Sequence, residues 1–93
     1  MITISNKCFV SIIILMWGFK VKGGSLDNLL EVVKEYFGIA IYERIWAALV
    51  DIWDAIGTDN RLCVAQAELA AQNAGFDLCK VATWQKMKQG GRK

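Results

Sequence analysis

The sequence predicts a mainly α-helical fold, a small domain of about four helices preceded by an apolar N-terminal segment. Three observations carry this. Apolar residues recur at three- and four-residue spacing through residues 26–56, the period of one buried helix face. Glycines at 38, 57 and 75 punctuate the periodic segments. Residues suited to capping, Ser25 and Asp77 among them, stand where helices would begin.

Residues 1–24 divide off as a unit with two readings. Cys8 to Phe19 is a twelve-residue apolar run broken only by Ser11 and Gly18, between Lys7 and Lys20. Its richness in Ile, Val and Phe fits a buried strand, with Ser5-Asn6-Lys7 turning back to Ile2-Thr3-Ile4. The second reading is a signal or membrane anchor with membrane contact through residues 8–19. That run falls short of the roughly 20 apolar residues of a spanning helix. Lys20 and Lys22 also stand where a cleavage region is normally uncharged. Gly18 to Ser25 approaches the phosphate-loop pattern, but Gly24 replaces the lysine that supplies its charge, so a Gly-Gly turn before a helix is the better reading.

Residues 25–93 form the helical domain. Ser25 is the expected N-cap of a helix whose apolar face is Leu26, Leu29, Leu30, Val33, Tyr36 and Phe37, with Asp27 opposing the helix dipole. Gly38 ends or kinks it. The stripe resumes from Ile39 to Ile56, with Trp46 and Trp53 seven apart on one side, and Gly57-Thr58-Asp59-Asn60 stops it. Most of this stripe is expected in the core. It is also wide and rich in tryptophan, which suits a homo-oligomer interface through Trp46, Leu49 and Trp53. Thr58, Asp59 or Asn60 should cap an alanine-rich third helix running to about Ala74. Asp77 should cap a fourth, with Val81 and Trp84 inward.

Composition narrows the function classes. With 93 residues there is room for one domain at most, yet 55% are apolar, so some apolar surface is expected to meet another chain or lipid. The net charge of +2 conceals a strong asymmetry. Residues 1–24 hold three lysines and no acid, and residues 25–77 hold nine acids against Lys34, Arg44 and Arg61. After Asp77 come five cations and no acid. Such a basic end suits a polyanion, though basic ends are as often merely solubilising. The chain has no His, and no Ser or Cys has an evident base beside it, so no catalytic residue, metal ligand or cofactor site is expected and the protein is read as a non-enzyme. Cys63 and Cys79, on antiparallel helices turning at Gly75, would lie on the order of 10 Å apart, beyond disulfide reach.

One stretch resembles a known device. In Ala65 to Lys86, Ala71 precedes Gly75 by four residues, Phe76 follows it, and Val81 and Trp84 come six and nine residues after it. That spacing resembles the helix-turn-helix of phage repressors and Cro-like regulators. The resemblance covers about a quarter of the chain, within residues 60–88. It implies a supporting helix over 67–74, a recognition helix over 77–88, and DNA as partner of a small cytoplasmic transcription regulator. Lys80, Lys86 and Lys88 would then contact phosphates and Thr83 a base edge or phosphate. Leu78 and Cys79 depart from the family, whose first recognition turn offers polar side chains, and Asp77 has the wrong sign for phosphate. The other class to weigh is a secreted or membrane-attached interaction protein using the Trp stripe.

Overall fold

A computed structural model describes residues 4–57, 59 and 61–90. The described chain is mainly helical: α1 (Asn6–Val21), α2 (Leu26–Phe37), α3 (Ile39–Ala55), α4 (Val64–Asn73) and α5 (Ala82–Gly90), with one 3-10 turn at Leu78–Lys80.

The N-terminal segment corrects the strand expectation. Residues 6–21 are helical throughout, and the Ser5 that reads as part of a turn is instead the N-cap, its Oγ accepting the Cys8 N–H at 3.1 Å. The expected partner run Ile2-Thr3-Ile4 lies largely outside the described residues. At the other end, the Gly24 N–H donates to the Phe19 carbonyl at 2.8 Å and the Gly23 N–H to that of Lys20 at 3.0 Å. This is the paired closure in which a left-handed residue satisfies the last carbonyls, and Gly23 supplies it with φ of 85°. A Cβ on Gly24 would stand 2.7 Å from the Phe19 ring and 3.0 Å from its carbonyl oxygen, so both glycines have a structural task. Phe9, Val10, Ile12, Ile13 and Met16 of α1 are buried in the common core. Among the described residues no helix is long and apolar enough to cross a membrane.

Ser25 caps α2 as expected, its Oγ accepting the Asn28 N–H at 3.2 Å. Gly38, at φ 91° and ψ 160°, separates α2 from α3 in a backbone region essentially restricted to glycine. The far end of α3 is held by α1: the Lys20 ammonium donates to the Trp53 carbonyl at 2.6 Å, a cation at a helix C-terminus. Beyond Ala55 the chain turns tightly. Ile56 bridges Leu62, the Gly57 N–H donates to the Arg61 carbonyl at 2.7 Å, and the Cys63 N–H to that of Ala55 at 2.8 Å.

α4 therefore starts at Val64, and neither the Asp59 side chain nor that of Cys63 caps it. The Asp59 carboxylate accepts the Arg61 N–H instead, while Thr58 and Asn60 lie outside the described residues. α4 runs back antiparallel to α3. Gln66 reaches the Asp51 carbonyl at one level, and Ala47, Ala48, Ala70 and Ala74 approach one another further along. The small side chains permit this close crossing, which buries Ala48, Ala67, Ala70 and Ala71.

The turn after α4 repeats the closure seen after α1. The Phe76 N–H donates to the Ala71 carbonyl at 2.8 Å and the Gly75 N–H to that of Gln72 at 3.0 Å, with Gly75 at φ 91°. Phe76 then turns inward and stacks on Phe9, ring centroids 4.2 Å apart and planes within 5°. Since Phe9 covers one face of that ring, the Arg44 guanidinium, 5.3 Å from the centroid, occupies the other. The stack joins the start of α1 to the α4 turn.

Candidate nucleic-acid interface

The basic C-terminal region is built on three short pieces of backbone. The Asp77 N–H donates to Asn6 Oδ1 at 2.9 Å, tying it to the first residue of α1. The Asp77 carboxylate accepts the Cys79 N–H at 3.1 Å, so Asp77 does act as a cap. What it caps is the single 3-10 turn and not a long helix. Val81, at φ −104° and ψ 119°, is extended and interrupts the helical path. α5 begins only at Ala82. Lys80 thus sits on the 3-10 turn, whereas Thr83, Lys86 and Lys88 sit on α5. Leu78, Val81 and Trp84 are the buried residues of this region, and they anchor it on the core.

Docking the 3-10 turn against the start of α1 opens a cleft of about 440 Å³ between them, lined by Ser5, Asn6, Lys7, Lys80, Val81, Ala82 and Thr83. Among the described residues no carboxylate lines it. Lys80 and Thr83 therefore share a site, and Lys7, remote in sequence, joins them. Lys86 is exposed on α5.

Lys88 is used differently. Its ammonium lies 3.1 Å from Glu68 on α4, and the same carboxylate oxygen accepts the Trp84 indole N–H at 2.9 Å and faces the Cys79 thiol at 3.7 Å. The Trp84 hydrogen bond, followed by the Lys88 contact, holds the Glu68 carboxyl below the usual range, outweighing the partial burial that pushes it up. Glu68 is thus a clasp between α4 and α5, and it satisfies the one polar atom of an indole that is otherwise fully buried. Lys88 is thus engaged with an acid, in a pair whose side chains are about a third exposed.

The expected oligomer residues also separate. Leu49 has no exposed surface and belongs to the core, which corrects its assignment to an interface. Trp53 is half-buried and packs on the core, with the Lys20 ammonium 5.1 Å from its ring centroid. Trp46 remains 46% exposed. Cys8, Cys63 and Cys79 are free thiols. Among the described residues no His, Cys, Asp or Glu group is arranged to hold a metal ion.

Comparison of the chain with protein-family models, with curated proteins and with solved structures found no match. The functional reading accordingly rests on the chain's own geometry. Sequence reasoning missed two residues here, Lys7 and Glu68. The apolar run after Lys7 drew attention away from its charge. Glu68 meets partners 16 and 20 positions away, which no local pattern reports.

Proposed function

We propose that this protein binds DNA, contacting the phosphate backbone with Lys7, Lys80 and Lys86 while Thr83 lies beside them. The single observation that carries this reading is the convergence of Lys7, Lys80 and Thr83 on one open cleft whose described lining residues include no carboxylate. Two lysines at one cleft, continued by Lys86 along α5, make a positive stripe suited to a polyanion. Asp77 adjoins the cleft through Asn6, and the other acids of residues 25–77 repel phosphate, which orients the duplex toward the lysines of this end. Phosphate contacts of this kind set register and orientation, and sequence preference is assigned to Thr83.

Each phosphate neutralised releases condensed counterions, so the salt dependence counts the contacts, with a slope of about −0.9 per contact on duplex DNA. The test is fluorescence anisotropy with a mixed-sequence duplex over a salt series. Wild type should show a slope near −3, and Lys7→Ala with Lys80→Ala should flatten it by about two. Lys88→Ala should leave the slope unchanged, because Lys88 is held by Glu68. Thr83→Ala should reduce preference for one duplex more than affinity for all. Absence of binding at low salt, or a slope as sensitive to Lys88 as to Lys80, overturns the reading.

A further inference from the structure

We propose that the cleft between the start of α1 and the 3-10 turn is a site for a doubly charged phosphate group. On nucleic acid that group is the terminal phosphate monoester of a strand, not an internal phosphodiester. This rests on the nucleic-acid reading above and names the group that fills the cleft.

The lining sets the class of ligand. Its charged side chains among the described residues are Lys7 and Lys80, both exposed and brought together from opposite ends of the chain. Its neutral polar side chains are Ser5, Asn6 and Thr83. The fold already engages the oxygens of the first two as acceptors. Ser5 Oγ accepts the Cys8 N–H at 3.1 Å, and Asn6 Oδ1 accepts the Asp77 N–H at 2.9 Å. The hydroxyl hydrogen of Ser5 and the NH2 of Asn6 remain to donate. The backbone carbonyls of Ser5, Lys7 and Val81 are engaged in the same way, by the Phe9 N–H, the Ser11 hydroxyl and the Gln85 N–H. What the cleft offers is therefore positive charge and donors. A ligand that fits must bring negative charge and several acceptor oxygens, as a phosphate does. The acid that adjoins the cleft, Asp77, gives its carboxylate to the Cys79 N–H at 3.1 Å and lines a separate hollow with Glu68 and Cys79.

Charge balance separates the two kinds of phosphate. An internal phosphodiester brings one negative charge and two unesterified oxygens. A terminal phosphate brings about −1.5 to −2 at pH 7 and three such oxygens. Two ammonium groups at one cleft are matched by the terminal group, whereas an internal phosphate leaves one of them uncompensated. The space agrees with this. The cleft, of about 440 Å³, is walled by the start of α1 on one side and by the 3-10 turn and the start of α5 on the other. That volume is of the order of small-molecule sites and holds a phosphate with the sugar that carries it. Lys86, exposed further along α5, stands outside this lining and is left to the internal phosphates.

Fluorescence anisotropy with one short duplex, carrying either a phosphate or a hydroxyl at its unlabelled ends, reads the preference directly. Wild type should bind the phosphorylated duplex about fivefold more tightly, the upper range for an exposed charge pair. Lys7→Ala and Lys80→Ala should each bring the two affinities to within about twofold of one another. Lys86→Ala should weaken both duplexes and keep their ratio. All three side chains are exposed, so circular dichroism should show unchanged helicity. Inorganic phosphate titrated alone, followed by amide chemical shifts, separates a strand end from the free ion. It should move Lys7, Lys80 and Thr83 and leave Lys86 unmoved. Duplexes bound equally with and without the terminal phosphate overturn the proposal and leave the nucleic-acid reading standing, and a preference that survives both Lys7→Ala and Lys80→Ala also overturns the proposal. Shifts at these residues without binding of either duplex uphold the phosphate site, assign it to the free ion, and overturn the nucleic-acid reading. Neither shifts nor duplex binding overturns both.

Discussion

Removing the Glu68 carboxylate should loosen the last helix by an amount the local geometry sets. Glu68→Ala leaves the Trp84 N–H, now 2.9 Å from a carboxylate oxygen, without its partner inside the core. An unsatisfied buried donor costs about 1–3 kcal/mol, and the Lys88 pair, with both side chains about a third exposed, adds about 0–1 kcal/mol. The sum is about 1–4 kcal/mol, or a fall in Tm of roughly 4–30 °C for a domain of this size. Glu68→Gln keeps an acceptor for the indole but loses the charge, so it should cost about 1 kcal/mol. Urea and thermal unfolding, followed by circular dichroism, measure both. Acid provides an independent check. Because the folded Glu68 carboxyl is held below its ordinary value, its contribution is present above the unfolded pKa and is lost as pH falls through the folded one. The advantage of wild type over Glu68→Gln should therefore be full at pH 7 and vanish on acidification below the carboxylate range. A double-mutant cycle with Trp84→Phe isolates the hydrogen bond. If Glu68→Ala and Trp84→Phe prove additive, the clasp is not energetic and the reasoning fails.

Three further outcomes follow from the backbone and core. Gly38→Ala should destabilise by about 1–3 kcal/mol in urea unfolding, because φ of 91° with ψ of 160° is a conformation that side chains resist. Phe9→Ala should cost about 3–5 kcal/mol, since it removes a fully buried ring stacked on Phe76. Leu49→Ala should cost about 2–5 kcal/mol at a concentration where the chain is monomeric, whereas Trp46→Ala there should stay within about 1 kcal/mol. Equal effects at 46 and 49 would show that the inward and outward faces of α3 have been misassigned.

Much of the helical domain is legible in the sequence because its signals are local. Ser25 opens α2, Gly38 parts it from α3, and Gly75 turns the chain with Phe76, Val81 and Trp84 inward, all readable from neighbours within a turn or two. The first helix is not legible in this way. α1 is apolar on nearly every side, so the period that distinguishes helix from strand is erased. Ser5-Asn6-Lys7 has the chemistry of a turn and of an N-cap alike, and only the packing of Phe9 and Met16 decides between them. Its length, longer than a typical strand, and the Gly23-Gly24 pair were the usable hints. The break at Val81 was hidden because a single extended residue leaves spacing almost unchanged. Lys7 joins Lys80 and Lys88 leaves it through contacts between helices, and such contacts appear only once the helices are assembled. At 49 and 50 the stripe was wide enough for either residue to be inward, and a 100° rotation settled it.

The bond from the Asp77 N–H to Asn6 spans 71 positions, and the Phe9–Phe76 stack closes beside it. α1 is therefore synthesised long before the last of the residues that cover it. Until Phe76 and Leu78 have emerged, a helix with Phe9, Val10, Ile12, Ile13 and Met16 along its length has no complete shelter, and at several residues per second that interval lasts on the order of ten seconds. A nascent chain stalled before position 76 would present this surface to holding chaperones or to other nascent chains, and release past Trp84 would withdraw it. Most of the remaining packing joins consecutive helices, so this closure is the long-range step, and joining ends so distant is an entropic cost that its contacts repay only once they form.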